Sequence, residues 1–339
     1  MQKSFAQALS AHILVGLLIL AALLIHAVPA LLAGLLAFTL CRALLTQFRS
    51  SFPSVKFPER MVTLLVGMGA LAVLVAAVTG VARAMNGENL SDFFLTLAHT
   101  LEQSKQYLPT AFSMDLPDTV VELKQVVANI AKEHAAVVAG VGTGALHGIL
   151  LALVGWLVGC LAACRSTSSN ATEQPVFFQV WTTLWSNFVQ AFSCVAFAQI
   201  KVASVNTACM GIFLLIVSPL LGWHIPYAKT LVLATFLCGL LPVVGNLISN
   251  TLTCVMALTV SLPAALTSLG VLVLIHKAEY LIMSKALGAE TGTKVWELLT
   301  VLFAGELMFG MPGMVTAPII YTFVRAELRR HGWLPAAIA

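Results

Sequence analysis

Charge is scarce in this chain. Eighteen lysines and arginines and 14 aspartates and glutamates make up 9% of 339 residues, against the roughly 25% usual for soluble domains. That excludes an ordinary water-exposed globule, and with a net charge of only +4 no nucleic-acid partner is expected. The chain also lacks a G-x-x-x-x-G-K-[ST] loop, so nucleotide hydrolysis is not expected to drive it. It has no nucleophile with a base beside it, no metal cluster and no paired carboxylates in a recognisable pattern, so we expect neither an enzyme nor a bound cofactor. Its seven cysteines lie in or beside apolar runs rather than in a loop cluster, which excludes a disulfide framework. Cys160 and Cys164 share a helix face, but no neighbouring histidine or acid completes a metal site. They are read as packing residues.

What is abundant is apolar sequence. Hydrophobic residues make up 59% of the chain and mean hydropathy is +0.95. Because a membrane-crossing helix needs about 20 apolar residues, and runs of that kind recur along almost the whole length, the chain reads as an integral membrane protein. Residues 11–28 and 29–45 form a helical pair turning at Pro29, and residues 61–84 form a third span. About fifty more polar residues follow, net acidic, with helical apolar stripes at Phe94, Leu97, Leu101 and Leu108, and at Val120, Leu123, Val127 and Ile130. The loop before the third span holds Arg42, Arg49, Lys56 and Arg60 against Glu59 alone. Positive charge in short loops marks the cytoplasmic side, so the acidic insert is expected outside and the N-terminus inside.

Residues 135–164 return the chain across the membrane. They are rich in glycine at 140, 142, 144 and 148, residues that let helices approach closely. After Pro175 an amphipathic stretch sets Phe177, Trp181, Leu184 and Phe188 on one side. Its tryptophans suggest a helix lying along the cytoplasmic interface before the next span, residues 202–223. Gln199 and Asn206, two turns apart, fall on one face, and two polar side chains in register suggest a wetter surface.

Two later segments are interrupted. Residues 229–260 are too many for one upright span and are cut by LLPVVGNLISN, where Pro242 removes a backbone donor and Gly245 loosens the chain. Asn246 and Asn250 follow on one helix face. Residues 298–324 are cut by GMPG, with Gly310 and Gly313 at the break and Pro318 beyond it. Irregular backbone at membrane depth survives only where it is buried in protein or lines a cavity, and a pair of Pro/Gly-interrupted apolar segments points to a transport site. The pattern fits either a kinked span or a re-entrant hairpin in both places. Glu306 stands beside the second break, where a charged carboxylate must face a cavity, find a cation or take a proton. His276 and Glu279, spaced i, i+3, form a further ionisable pair at a helix end.

These motifs, in this order, resemble the AI-2E (autoinducer-2 exporter) family of bacterial inner-membrane proteins. The resemblance runs from FVQAFSCVAFAQIKVASVN through LCGLLPVVGNLIS and HKAEYLIMSKALG to LLTVLFAGELMFGMPGMVTAPII, roughly the last 40% of the chain. Gln199, Pro242, Gly245, Gly310, Gly313 and Pro318 match its pattern. Ser284 and Lys285 stand where the family often has a proline, and Glu306 stands in a stretch that is usually small or apolar. The resemblance implies about eight membrane segments, an extracytoplasmic insert after the third, both termini in the cytoplasm, and homo-oligomers such as pentamers. Its members are linked to export of the furanone signal autoinducer-2, and some to sodium/proton antiport.

The expected architecture is therefore all-α and polytopic, embedded in the lipid of the bacterial inner membrane. N-terminal helices occupy 1–85, a small extracytoplasmic helical insert 86–134, a membrane helix and an interfacial helix 135–200, a core with interrupted helices 201–325, and a cytoplasmic tail 326–339. The expected function is export of a small polar solute such as an autoinducer-2-like signal, along a path between the two interrupted segments that uses Gln199, Asn206, Asn246 and Asn250. The alternatives are sodium or potassium/proton antiport through Glu306, with His276 and Glu279 assisting, and a non-transporting oligomeric scaffold.

Overall fold

The computed structural model describes residues 2–51, 58–84, 125, 129, 135–164, 175–240, 244–291 and 294–335. Among these the secondary structure is helical throughout, with no strand. Five helical segments, residues 6–24, 28–51, 143–164, 176–220 and 296–330, are long and apolar enough to cross a membrane. Their outward faces carry large apolar side chains, among them Leu17, Leu24, Leu40, Leu157 and Leu307, which suits lipid better than water. The stripes expected in the acidic insert lie outside the described residues, as do Pro242 and the linker after Cys164.

The chain forms two compact units, the first made of residues 1–76, 142–196 and 287–339. In it α1 (Gln2–Leu24) and α2 (Val28–Ser51) are joined by a tight turn. His26 adopts a left-handed conformation, φ 55°, while the Ala27 amide donates to the Ala22 carbonyl and the His26 amide to Leu23. This is a Schellman-type stop. The turn thus sits just before Pro29, which occupies the first turn of α2, where its missing donor is harmless. The loop between α2 and α3 (Pro58–Ala84) is bridged by an Arg49–Glu59 ion pair. Glu59's own backbone amide, followed by the Arg49 guanidinium, holds its carboxyl below the usual range.

One close approach in this unit is between α2 and α4 (Ala135–Cys164), but through different glycines from those the sequence drew attention to. A Cβ at Gly155 would lie 1.9 Å from the Ala30 carbonyl oxygen, and one at Gly159 would lie 2.1 Å from that of Gly34. Two small-xxx-small pairs therefore bring backbone against backbone, whereas Gly144 has nothing within 4 Å and Gly148 only the Pro29 ring. Beside this crossing Cys41 and Cys160 are buried with Ala37, Leu45, Val62 and Val66.

Helix α5 (Val176–Ile212) runs unbroken for 37 residues, where an interfacial helix followed by a separate span was expected. No glycine or proline occurs between Val176 and Met210, so nothing ends the helix. Its aromatic face packs instead of lying free. Phe177 stacks on Trp181, Trp181, Trp185 and Phe188 meet edge to face in sequence, Phe188 meets Phe323 at 5.4 Å, and the core closes over Ala11, Val15, Ile19 and Leu184.

The second unit comprises residues 77–141 and 197–286. Here α5 ends in a π-helical turn, Phe213–Val217, and a short Ser218–Leu220 segment. Pro219 cannot donate to the carbonyl four residues back, and the widened turn accommodates its ring. Then come α6 (Ala228–Gly239), α7 (Val244–Leu258) and α8 (Leu262–Thr291). Ser261 caps α8, its hydroxyl accepting the Ala264 amide at 3.2 Å. Met210, Phe213, Leu214, Leu231, Ala257 and Leu272 form the core. Leu231 and Ala257 lie far from the intervening break in sequence yet share that core, so α6 and α7 fold back on each other. The interruption is a helical hairpin.

Candidate functional site

The hairpin of α6 and α7 is built around small residues. A Cβ at Gly245 would lie 1.6 Å from the Cys238 carbonyl oxygen, and one at Gly239 would lie 3.2 Å from Ala203 Cβ on α5. With no side chains at 239 and 245, and only a methyl at 203, the tip of the hairpin closes tightly and α5 reaches it. Ala203 lies between Gln199 and Asn206, so the same face of α5 delivers two amides to the tip.

Both amides meet the hairpin. Gln199 Nε2 donates to the Gly239 carbonyl at 2.7 Å, and Asn206 Nδ2 donates to Asn246 Oδ1 at 3.2 Å. The last carbonyls of a helix lack intrahelical partners, and Gly239 is the final residue of α6, so Gln199 supplies a donor where the break removes one. Gln199, Asn206 and Asn246 are 7%, 5% and 3% exposed. Burying such groups is tolerable only with partners of this kind.

The polar surface continues down α7. Ser249 and Thr253 are buried and Asn250 is half-buried; with Asn246 they occupy positions i, i+3, i+4 and i+7, one face of the helix. Thr235 on α6 is buried too. The hydroxyls of Thr235, Ser249 and Thr253 donate to carbonyls one turn back in their own helices, at 2.8, 3.2 and 2.9 Å. Ser249, Thr253 and Thr235 were not singled out in the sequence, although the spacing of Ser249 and Thr253 from Asn246 carries the signal. The named residues bear no charge. Primary amides carry two donors and one acceptor each, so this cluster has the chemistry to exchange amide-to-amide bonds for bonds to hydroxyl and carbonyl groups of a neutral ligand.

The second interruption lies in the first unit. Within α9 (Val295–Arg330) Gly310 has φ 64° and ψ −149°, a conformation that glycine alone adopts without strain. Residues 295–309 and 311–330 are thereby turned back on each other. Tyr321 Oη donates to Glu297 Oε2 at 2.8 Å, and the Arg325 guanidinium donates to the same carboxylate, although 24 residues of straight helix would separate Glu297 and Tyr321 by about 36 Å. Nearer the tip, a Cβ at Gly313 would lie 2.0 Å from the Gly305 carbonyl oxygen and one at Gly305 would lie 2.7 Å from that of Gly313. Pro312 falls in the first turn after the break and Pro318 is buried in the second arm. This segment too is a hairpin, zipped by glycines and clasped at its base by Glu297, Tyr321 and Arg325.

No protein-family model, curated protein or solved structure matches the chain.

The predicted positions divide between the units. Gln199, Asn206, Gly245 and Asn246 come together in the second, with Asn250 one turn away on the same helix; Gly310, Gly313 and Pro318 form the hairpin of the first. The ionisable set is not gathered in one unit. Glu306 is exposed one turn before the Gly310 tip, surrounded in sequence by the exposed Phe303, Leu307 and Met308. His276 is exposed on α8 in the second unit, and the Glu279 side chain lies outside the described residues.

Proposed function

We propose that the protein is a membrane transporter of the AI-2E type that exports a small, polar, uncharged solute across the bacterial inner membrane, with the amides at the tip of the α6–α7 hairpin as its solute contacts. The observation that carries this reading is the buried Asn206–Asn246 contact beside Gly239 and Gly245. A hairpin with polar groups at its tip is the form that a re-entrant segment takes where backbone must be satisfied inside a membrane. In this reading both hairpins are re-entrant, the segments number about eight, both termini are cytoplasmic, and copies of the chain assemble into an oligomer. Opening the site breaks amide contacts worth about 1–3 kcal/mol when left unsatisfied. A solute bearing hydroxyl or carbonyl groups offsets that loss, and an apolar one does not. No group in the cluster resembles a nucleophile with its base, so the reading is of a carrier rather than an enzyme.

The test is efflux from proteoliposomes loaded with a panel of labelled uncharged polar solutes. The reading expects one or more solutes to leave faster than from protein-free liposomes, and Gln199→Leu to slow that efflux. Equal rates for the whole panel with and without protein would defeat it.

A second reading, cation/proton antiport, is favoured by one feature: the Glu306 carboxylate stands among exposed apolar side chains at a hairpin tip. It predicts that a sodium or potassium pulse moves protons in dye-loaded proteoliposomes and that Glu306→Gln abolishes the movement. Under the solute reading no cation-driven signal appears, and Glu306→Gln leaves efflux unchanged. If both fluxes are absent, the scaffold reading stands in their place.

A further inference from the structure

We infer that His12, Glu327 and His331 form a binding site for a zinc-class divalent cation that fastens α1 to the C-terminal arm of α9. One ligand atom from each of the three residues lies within 4.8 Å of the others. The helical phase accounts for half of the arrangement: Glu327 and His331 are i, i+4 at the end of α9 and so share a face. His12 joins them from α1, its ring 5.8 Å from that of His331.

The surroundings orient the donors. His12 Nδ1 lies 2.8 Å from the Ala8 carbonyl oxygen, so Nδ1 donates to it and the neutral ring offers the Nε2 lone pair to a cation. A carbonyl bonded to one imidazole nitrogen is the usual companion of a metal on the other. Glu327 Oε1 accepts a hydrogen bond from the Asn187 amide on α5, which holds the carboxylate while Oε2 faces His331 Nε2 at 4.0 Å.

Two features govern closure onto an ion. Ligand atoms around a tetrahedral zinc sit about 3.3 Å apart, given bonds of about 2.0–2.2 Å, so the set must contract by on the order of 1.5 Å. His331 can supply that movement, because it is the exposed C-cap of α9, where Gly332 turns the chain at φ 73°. Arg330 opposes the cation, but its contact with Glu327 is long, 3.5 Å, and its side chain is half-exposed. Two imidazoles and one carboxylate select borderline ions such as Zn²⁺ over Mg²⁺ or Ca²⁺, which prefer oxygen shells, and three protein ligands leave a fourth position for water.

The test uses full-length, chelator-stripped protein in detergent, titrated with ZnCl₂ and followed by calorimetry and thermal melting. The proposal expects saturable binding of one equivalent with a rise in Tm, and no rise with MgCl₂. His12→Ala and His331→Ala each weaken binding at least about tenfold, and Asn187→Ala, which loosens the carboxylate, weakens it by about tenfold. His224→Ala, remote in sequence and outside the set, leaves it unchanged. Should the variants fold poorly, Co²⁺ added to the wild-type protein gives an independent reading, since a four-coordinate site produces a strong visible d–d band. Absence of saturable Zn²⁺ binding, absence of that band, or full-strength binding in the His12→Ala/His331→Ala double variant overturns the proposal.

Discussion

Gly245→Val lowers the melting temperature of the detergent-solubilised protein by roughly 10 °C, corresponding to on the order of 3 kcal/mol. The physical reason is the tip of the α6–α7 hairpin, where even a methyl group at 245 would sit 1.6 Å from the Cys238 carbonyl oxygen. That atom is backbone, so no rotamer change relieves the clash; α6 and α7 must part or slide. Parting them draws Asn246 away from Asn206 and Gly239 from Gln199, so buried amides lose partners at the same time. A β-branched side chain makes the loss greater than alanine does. The check is thermal unfolding of the two variants beside the wild type, with Gly245→Ala falling between. A melting temperature for Gly245→Val within 2 °C of wild type would show that the tip is looser than described.

Gly313→Val is expected to act nearly as strongly, through the other hairpin. Its side chain would be driven onto the Gly305 carbonyl, 2.0 Å from the Cβ position and fixed in the backbone of the opposite arm. Separation there propagates along the arms toward the clasp at Glu297, because two helices zipped by glycine contacts have no flexible side chains between them to adjust. Gly310→Ala is a useful companion, as its penalty comes from the positive φ rather than from crowding: nothing lies within 4 Å of a Cβ at 310. Thermal melts of both, with limited proteolysis at residues near the tip, separate the two causes. Gly313→Val should expose new cleavage sites in both arms.

The sequence made the breaks legible because proline, glycine and asparagine at membrane depth are hard to explain otherwise, and the residues on either side of each break did mark its place. It did not distinguish a kink from a hairpin. The same Pro/Gly punctuation serves both, and the difference lies in contacts such as Glu297 with Tyr321 that no local window contains. Glycine patterning had the same limit: residues 144 and 148 look as suited to a helix crossing as 155 and 159, and only the partner helix, with Ala30 and Gly34, chooses between them. Tryptophan serves packing as well. Trp181 and Trp185 carry the mark of a membrane interface, and in the fold they also pack with Phe177 and Phe188, face to face and then edge to face, along a continuous helix. In the candidate site, Gln199, Asn206 and Asn246 were legible as polar exceptions in apolar sequence. Ser249 and Thr253 are marked only by their spacing from Asn246, since small hydroxyl residues bond back to their own helix and are common in membrane helices for that reason alone. His12, Glu327 and His331 come from opposite ends of the chain, and only the packing of α1 against α9 assembles them.

In the proposed transport role the amide cluster at the α6–α7 tip handles a polar solute. Asn246→Leu is the sharpest probe of that role, because leucine is similar in size and removes both the donors and the acceptor. The measurement is the initial efflux rate, per folded protein, of the solute that wild-type proteoliposomes release fastest. A fall of about tenfold or more is expected, the rate equivalent of about 1.4 kcal/mol for one lost hydrogen-bonding group, with Asn246→Gln retaining part of the rate. An Asn246→Leu protein that folds normally and transports at the wild-type rate would contradict it.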